Sequence, residues 1–92
     1  MIECQGHVAT PLASAYLERL CRHFAKKIPA TWDATHGIAD FPFGRCAMEA
    51  TAEALRFRCV APNATAMAQL QNVITLHVGM FTRRNPLPVV WL

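Results

Sequence analysis

In "LCRHFAKKIP" (Leu20–Pro29) a cysteine and a histidine stand two residues apart in a basic stretch. Cys-x-His is half of a metal site on paper, or a thiol beside its base. The apolar residues around it recur at steps of three and four, so the segment reads as a helix. Residues two apart on a helix do not face each other. Cys21 then falls on the apolar stripe with Leu17 and Phe24, and His23 on the flank near Tyr16, Arg19 and Lys27. One metal ion cannot take both, and no thiolate–imidazole pair can form.

The four cysteines, Cys4, Cys21, Cys46 and Cys59, contain no Cys-x-x-Cys knuckle. Each lies on the apolar side of its element, so they read as small, packed, reduced core residues, and no cofactor is predicted. The rival arrangement is a cluster. If both helices cover the face that carries the sulfurs, three thiols and His77 would suit zinc or iron.

His77 falls near the centre of a second apolar stripe, between Leu70, Ile74 and Phe81. A buried imidazole must be hydrogen-bonded, because an unsatisfied buried polar group costs about 1–3 kcal/mol. On the packing reading it is a satisfied core histidine. On the functional reading it meets His23 across a helix–helix contact at the edge of a pocket. His23 and His77 are therefore the candidate ligand-binding residues, with no catalytic residue and no metal ligand assigned. His7 reads as solvated on a polar strand face, and His36 as solvated in a turn.

Arg45, Arg56 and Arg58 share a sheet face with Glu3 and Glu49. A sheet that binds single-stranded nucleic acid adds aromatic platforms for the bases, and the clearest strands offer none there. This reads as a solvated face. No Gly-rich phosphate loop, nucleophile elbow or paired-carboxylate motif is present.

The elements that position these residues follow from the hydrophobic period. Ile2–Ala9 alternates as a half-buried strand. Thr10-Pro11 starts a helix, with Thr10 as its cap, whose stripe runs from Leu12 to Ile28 before Pro29 ends it. Ala30–Ala34 and Ile38–Phe41 are short strands, "FPFG" (Phe41–Gly44) is a turn, and Arg45–Ala50 and Leu55–Val60 alternate clearly. Asn63 caps a second helix with the stripe Ala66, Met67, Leu70, Val73, Ile74, His77, Val78 and Phe81. Leu87–Leu92 closes as a strand. The fold class is α+β: a two-layer sandwich, with an antiparallel sheet of five or six strands and both helices on one face. Four strands in the meander make it TBP-like; fewer make it ferredoxin-like.

Ninety-two residues read as a single domain, 1–92, long enough to fold without staples. With 53% hydrophobic and 16% charged residues the chain suits a packed core. Met1–Thr10 has no basic region followed by an apolar run, and no window is apolar enough to span a membrane, so the expected location is cytoplasmic. The net charge of +3 selects no partner class.

"ATPLASAYLERLCRHFAKKIP", "FPFGRCAMEA", "LRFRCVAPNATAMAQLQNVITLHVGMF" and "PLPVVWL" resemble an uncharacterised bacterial family, domain of unknown function 2218, from about Val8 to Trp91. The likeness rests on Thr10-Pro11, Tyr16, Leu20, His23-Phe24, Phe41–Gly44, Cys46, His77, Phe81 and Trp91. The family has no assigned activity. The names of some members imply a 2,4-dihydroxyhept-2-ene-1,7-dioic acid aldolase, a barrel enzyme that needs about 200 residues or more. Related chains encoded beside siderophore-interacting, iron-reducing flavoproteins suggest a looser association with them. Lys26 departs from the pattern, which expects a second histidine there.

The reading that results is a small cytoplasmic accessory domain, without catalysis, that binds a small molecule or protein and is linked to iron metabolism. The alternative is a metal-dependent or acid–base enzyme, an aldolase-type lyase, using His23 and His77. Nucleic-acid binding through the arginine face trails both.

Overall fold

Alternation places every second side chain of a strand on one face, and here that face is packed under helices. The structure, a computed structural model, describes residues 1–92. Its elements are β1 (Ile2–Ala9), α1 (Ala13–Phe24), β2 (Ala30–Trp32), β3 (His36–Phe41), β4 (Gly44–Ala50), β5 (Ala54–Ala61), α2 (Ala64–Phe81) and β6 (Val90–Trp91). The six strands form one antiparallel sheet in the order β2-β3-β4-β5-β1-β6. The meander holds four strands, the count that belongs to the TBP-like alternative.

Val8, Ala39, Cys46, Met48, Leu55, Phe57, Cys59 and Ala61 point from the sheet into the core. Leu17, Leu20, Cys21 and Phe24 of α1 and Met67, Leu70, Ile74 and Val78 of α2 meet them from above. Both helices therefore lie on one face, as the alternation implies. Burying a side chain of the Leu or Phe class contributes about 1.5–3 kcal/mol, so this single interface dominates the stability. The helix α1 sits close enough that a Cβ added to Gly37 would lie 2.7 Å from Cys21 Sγ. No helix is long and apolar enough to cross a membrane.

Several boundaries differ from the expectation. The N–H of Thr10 donates to Glu53 O (2.9 Å), which holds that residue to the sheet. Its hydroxyl accepts the N–H of Leu12 (3.0 Å), and the helix starts at Ala13 with Leu12 in the cap position. Helix α1 ends at Phe24, not at Ile28. Its last turn tightens, with the N–H groups of Lys26 and Lys27 donating to His23 O and Phe24 O, the short bonds by which helix ends satisfy their carbonyls.

Asp33 Oδ1 accepts the N–H groups of Thr35 (2.9 Å) and His36 (2.8 Å). This side-chain turn stops β2 at Trp32 and makes His36 the first residue of β3, not part of a turn. Asn63 caps α2 as expected, accepting the N–H of Ala66 (2.8 Å). The last strand shrinks to Val90–Trp91, because Pro86 and Pro88 bring no N–H to a ladder.

Candidate imidazole cluster

The C-terminal part of α1 carries His23 and Phe24 side by side, and α2 carries His77 and Phe81 four residues apart. Positions four apart on a helix share a face. Where the two helices meet, these four rings form one cluster. The imidazoles of His23 and His77 are 4.8 Å apart between centroids, tilted by 51°. Phe24 meets His77 edge-on at 5.0 Å, and Phe81 meets His23 edge-on at 5.7 Å. Phe41 extends the cluster from the end of β3, 5.0 Å from Phe24, and stacks on Phe43 at 5.5 Å. The Arg19 guanidinium lies over the Phe81 ring at 4.5 Å.

The two candidate residues are thus brought together, across the contact anticipated for them. The expectation of a fully buried His77 does not hold: both imidazoles are half-buried, because they sit at the rim of the helix seam. His77 Nδ1 lies 2.7 Å from Val73 O. A carbonyl only accepts, so Nδ1 carries a proton, and Nε2 is the nitrogen left facing away from that bond. For His23, burial first, then the charges of His77, Lys26 and Lys27, lowers the pKa. Lowering below about 6.5 leaves that ring neutral at pH 7.

The seam encloses little space. The cavity beside Phe81, lined by Val8, Tyr16, Leu20, Leu55, Val78, Phe81 and Thr82, measures about 10 Å³, against roughly 300–1,000 Å³ for small-molecule pockets. A ligand of this cluster must approach the rim from solvent. No three His, Cys, Asp or Glu side chains converge in a way that could hold a metal ion.

The sulfurs adopt a different pattern from the cluster with His77 weighed above. Register pairs Cys4 with Cys59 and Cys59 with Cys46, so three thiols form a row across β1, β5 and β4 on the helix-covered face. Cys21 lies apart from the row, its Sγ 3.9 Å from Met48 Sδ, and burial pushes its thiol up to about 11. All four cysteines are free. Alternation placed Cys46 and Cys59 on one face but did not align them. The signal for the alignment was the loop between Ala50 and Leu55, which fixes the hairpin register.

The outer sheet face is open and concave, with about 620 Å³ over Gln5, His7, His36, Glu49, Arg56 and Arg58. Arg58 pairs with Glu3 (2.8 Å), Arg45 with Asp40 (2.6 Å), and His36 approaches Glu49 (3.6 Å). These are exposed pairs, each worth little. The larger hollow is less informative than the cluster, because Arg58 and Glu49 on its floor are engaged in exposed pairs with Glu3 and His36.

Residues 5–92 match a family described as uncharacterized protein conserved in bacteria (DUF2218). No curated protein matches the chain. Among solved structures, the NMR structure of PA4090 from Pseudomonas aeruginosa superposes with a TM-score of 0.83. The two sequences are 26% identical, and the match covers 100% of this chain and 96% of that one.

Proposed function

The chain belongs to this bacterial family, and within it we propose an accessory binding domain, without catalysis, that uses His23 and His77 as its contact groups. The observation that carries the proposal is the meeting of the two imidazoles at 4.8 Å on a half-buried rim. Residues on which the family likeness rests, His23, Phe24, Phe41, His77 and Phe81, are scattered in sequence and gathered into this one cluster.

Binding suits the geometry better than acid–base catalysis. A catalytic histidine works best when a carboxylate or other acceptor orients it and a pocket excludes water. His77 is oriented by a backbone carbonyl, and His23 has cations for neighbours. The cavity beside them is far smaller than a substrate. The ligand, a small molecule or a protein group, would lie across the imidazole edges.

The second reading is a metal-dependent role, favoured by two imidazoles brought together from different helices. Imidazole suits zinc and iron alike, and a link to siderophore or iron metabolism belongs to this form of the proposal. An NMR titration with zinc, then with ferrous iron, separates the two. Joint movement of the His23 and His77 resonances at equimolar metal supports metal binding. Unmoved resonances with metal, and movement with a non-metal ligand, support the accessory domain. Turnover of an aldol substrate that His23→Ala abolishes would overturn it.

A further inference from the structure

We propose that Cys4 and Cys59 form a reversible oxidation site, in which Cys4 meets a hydroperoxide and Cys59 resolves the product as a cross-strand disulfide. In an antiparallel sheet a residue's N–H and C=O both point to the same neighbour. The N–H of Leu92 donates to Gln5 O (2.8 Å), so Gln5 points its backbone towards β6. The N–H of Thr10 donates to Glu53 O, so the even residues of β1, Cys4 included, point towards β5. Cys4–Cys59 is therefore a hydrogen-bonded pair, with Cα atoms about 5.5 Å apart by general geometry. That separation is among the commonest for disulfides.

The same parity makes Cys59–Cys46 the closer, non-hydrogen-bonded pair. The N–H of Ala50 donates to Thr35 O, so the even residues of β4 turn their backbones to β3 and not to β5. There the Cys46 thiol donates to Ala47 O (3.8 Å), and its nearness to the Cys59 sulfur lowers the Cys59 pKa while raising that of Cys46. Cys46 acts as a positioning residue: directly opposite Cys59 in the register, it eases negative charge on that sulfur.

Access is graded along the row. Cys46 and Cys59 are fully buried, whereas Cys4 is half-buried. The Gln71 amide Nε2 donates to Cys4 Sγ at 2.9 Å, and the Cys4 thiol donates to Gln5 O (3.7 Å) and Leu92 O (3.6 Å), so the sulfur must turn from the β6 side towards β5 to reach Cys59. An oxidant arriving from solvent meets Cys4 first.

The steps balance. The sulfur of Cys4 attacks the distal oxygen of the hydroperoxide, the O–O bond breaks, and the products are Cys4–SOH and an alcohol, or water when the oxidant is hydrogen peroxide. The Cys59 sulfur then attacks Cys4 Sγ, the S–O bond breaks, and water leaves with the thiol proton. Two thiols have lost two electrons and two protons, and the hydroperoxide has gained them. A small dithiol reductant reverses the linkage by exchange.

The test treats the reduced protein with one equivalent of hydrogen peroxide, followed by non-reducing peptide mapping. A Cys4–Cys59 disulfide, with Cys21 and Cys46 still free, is expected. In Cys59→Ala a sulfenic acid should accumulate at Cys4, trapped by dimedone. Cys4→Ser should slow thiol loss at least tenfold, and Cys46→Ala should slow the resolving step with little effect on the first. A Cys46–Cys59 linkage, over-oxidised Cys4 without a disulfide, or equal rates for Cys4→Ser and the parent would each overturn the proposal. The parent protein's peptide map decides the linkage even if a variant folds poorly.

Discussion

His23 and His77 share one ring contact, but only His77 has a fixed hydrogen-bond partner, the carbonyl of Val73. That asymmetry separates the consequences of changing each.

His23→Ala removes edge contacts to Phe81 and His77 without stranding a partner. Aromatic pairs contribute about 0.5–1.5 kcal/mol beyond their area, so a loss near 1 kcal/mol is expected in urea unfolding. A flank position outside any contact would have cost less. A loss above about 3 kcal/mol would show that the ring supports the core.

His77→Leu keeps the volume and releases the Val73 carbonyl, which water can reach at the half-exposed rim. The fold should persist, with a stability change within about 1 kcal/mol. The diagnostic readout is the His23 resonance: its titration should move up once its positively charging neighbour is gone. An unchanged His23 titration would mean that the two rings do not communicate.

The pH dependence follows from His23. Its pKa is lowered in the folded chain, by burial first and by the charges of His77, Lys26 and Lys27 next. Near and below about pH 6.5 the unfolded chain binds more protons at this site than the folded one. Stability from this group is complete above that pH and is lost as pH falls through the lowered pKa. Chemical denaturation from pH 7.5 to 5 should show a decline, shallower in His23→Ala. Equal slopes would remove His23 as the cause.

The thiols should react in order of burial. Ellman's reagent should modify Cys4 in the native protein and reach Cys21, Cys46 and Cys59 only on unfolding. Rapid native labelling of two or more would contradict the packing described.

The ring of Trp91 occupies the space over Gly6, where an added Cβ would lie 2.5 Å from it. Gly6→Val should expel the indole and break its bond to Thr75 Oγ1 (3.1 Å). Amide exchange at Val90 and Leu92, the residues opposite His7 and Gln5, should rise together, with β2–β5 unaffected. Retained protection there would show that β6 is held by other contacts.

Much of this was legible in the sequence because period carries burial. The Cys46/Met48 and Leu55/Phe57/Cys59 alternations put the right residues under the helices, and the Asn63 cap was found by its chemistry. What escaped depends on side chains choosing between partners. Asp33 captures two backbone N–H groups and moves His36 into a strand, and Thr10 is held by Glu53, which lies far along the chain. The imidazole pair was a possibility on two helical wheels, but wheels fix only which flank a residue takes. The axial offset between helices, which sets the 4.8 Å separation, comes from the packing of both on one sheet.

Strand β1 leads the chain yet lies between β5 and β6. On the ribosome it therefore emerges long before either neighbour, while the hairpins from β2 to β5 can close locally as they appear. Until β5 is released, the apolar side of β1 has no partner and its backbone groups are unpaired, the condition under which nascent chains aggregate or recruit chaperones. Pairing of Ala9 with Ala54 through Ile2 with Ala61 then closes a long loop in one late step. Substitutions in β1 should accordingly leave early hairpin formation intact and slow final assembly.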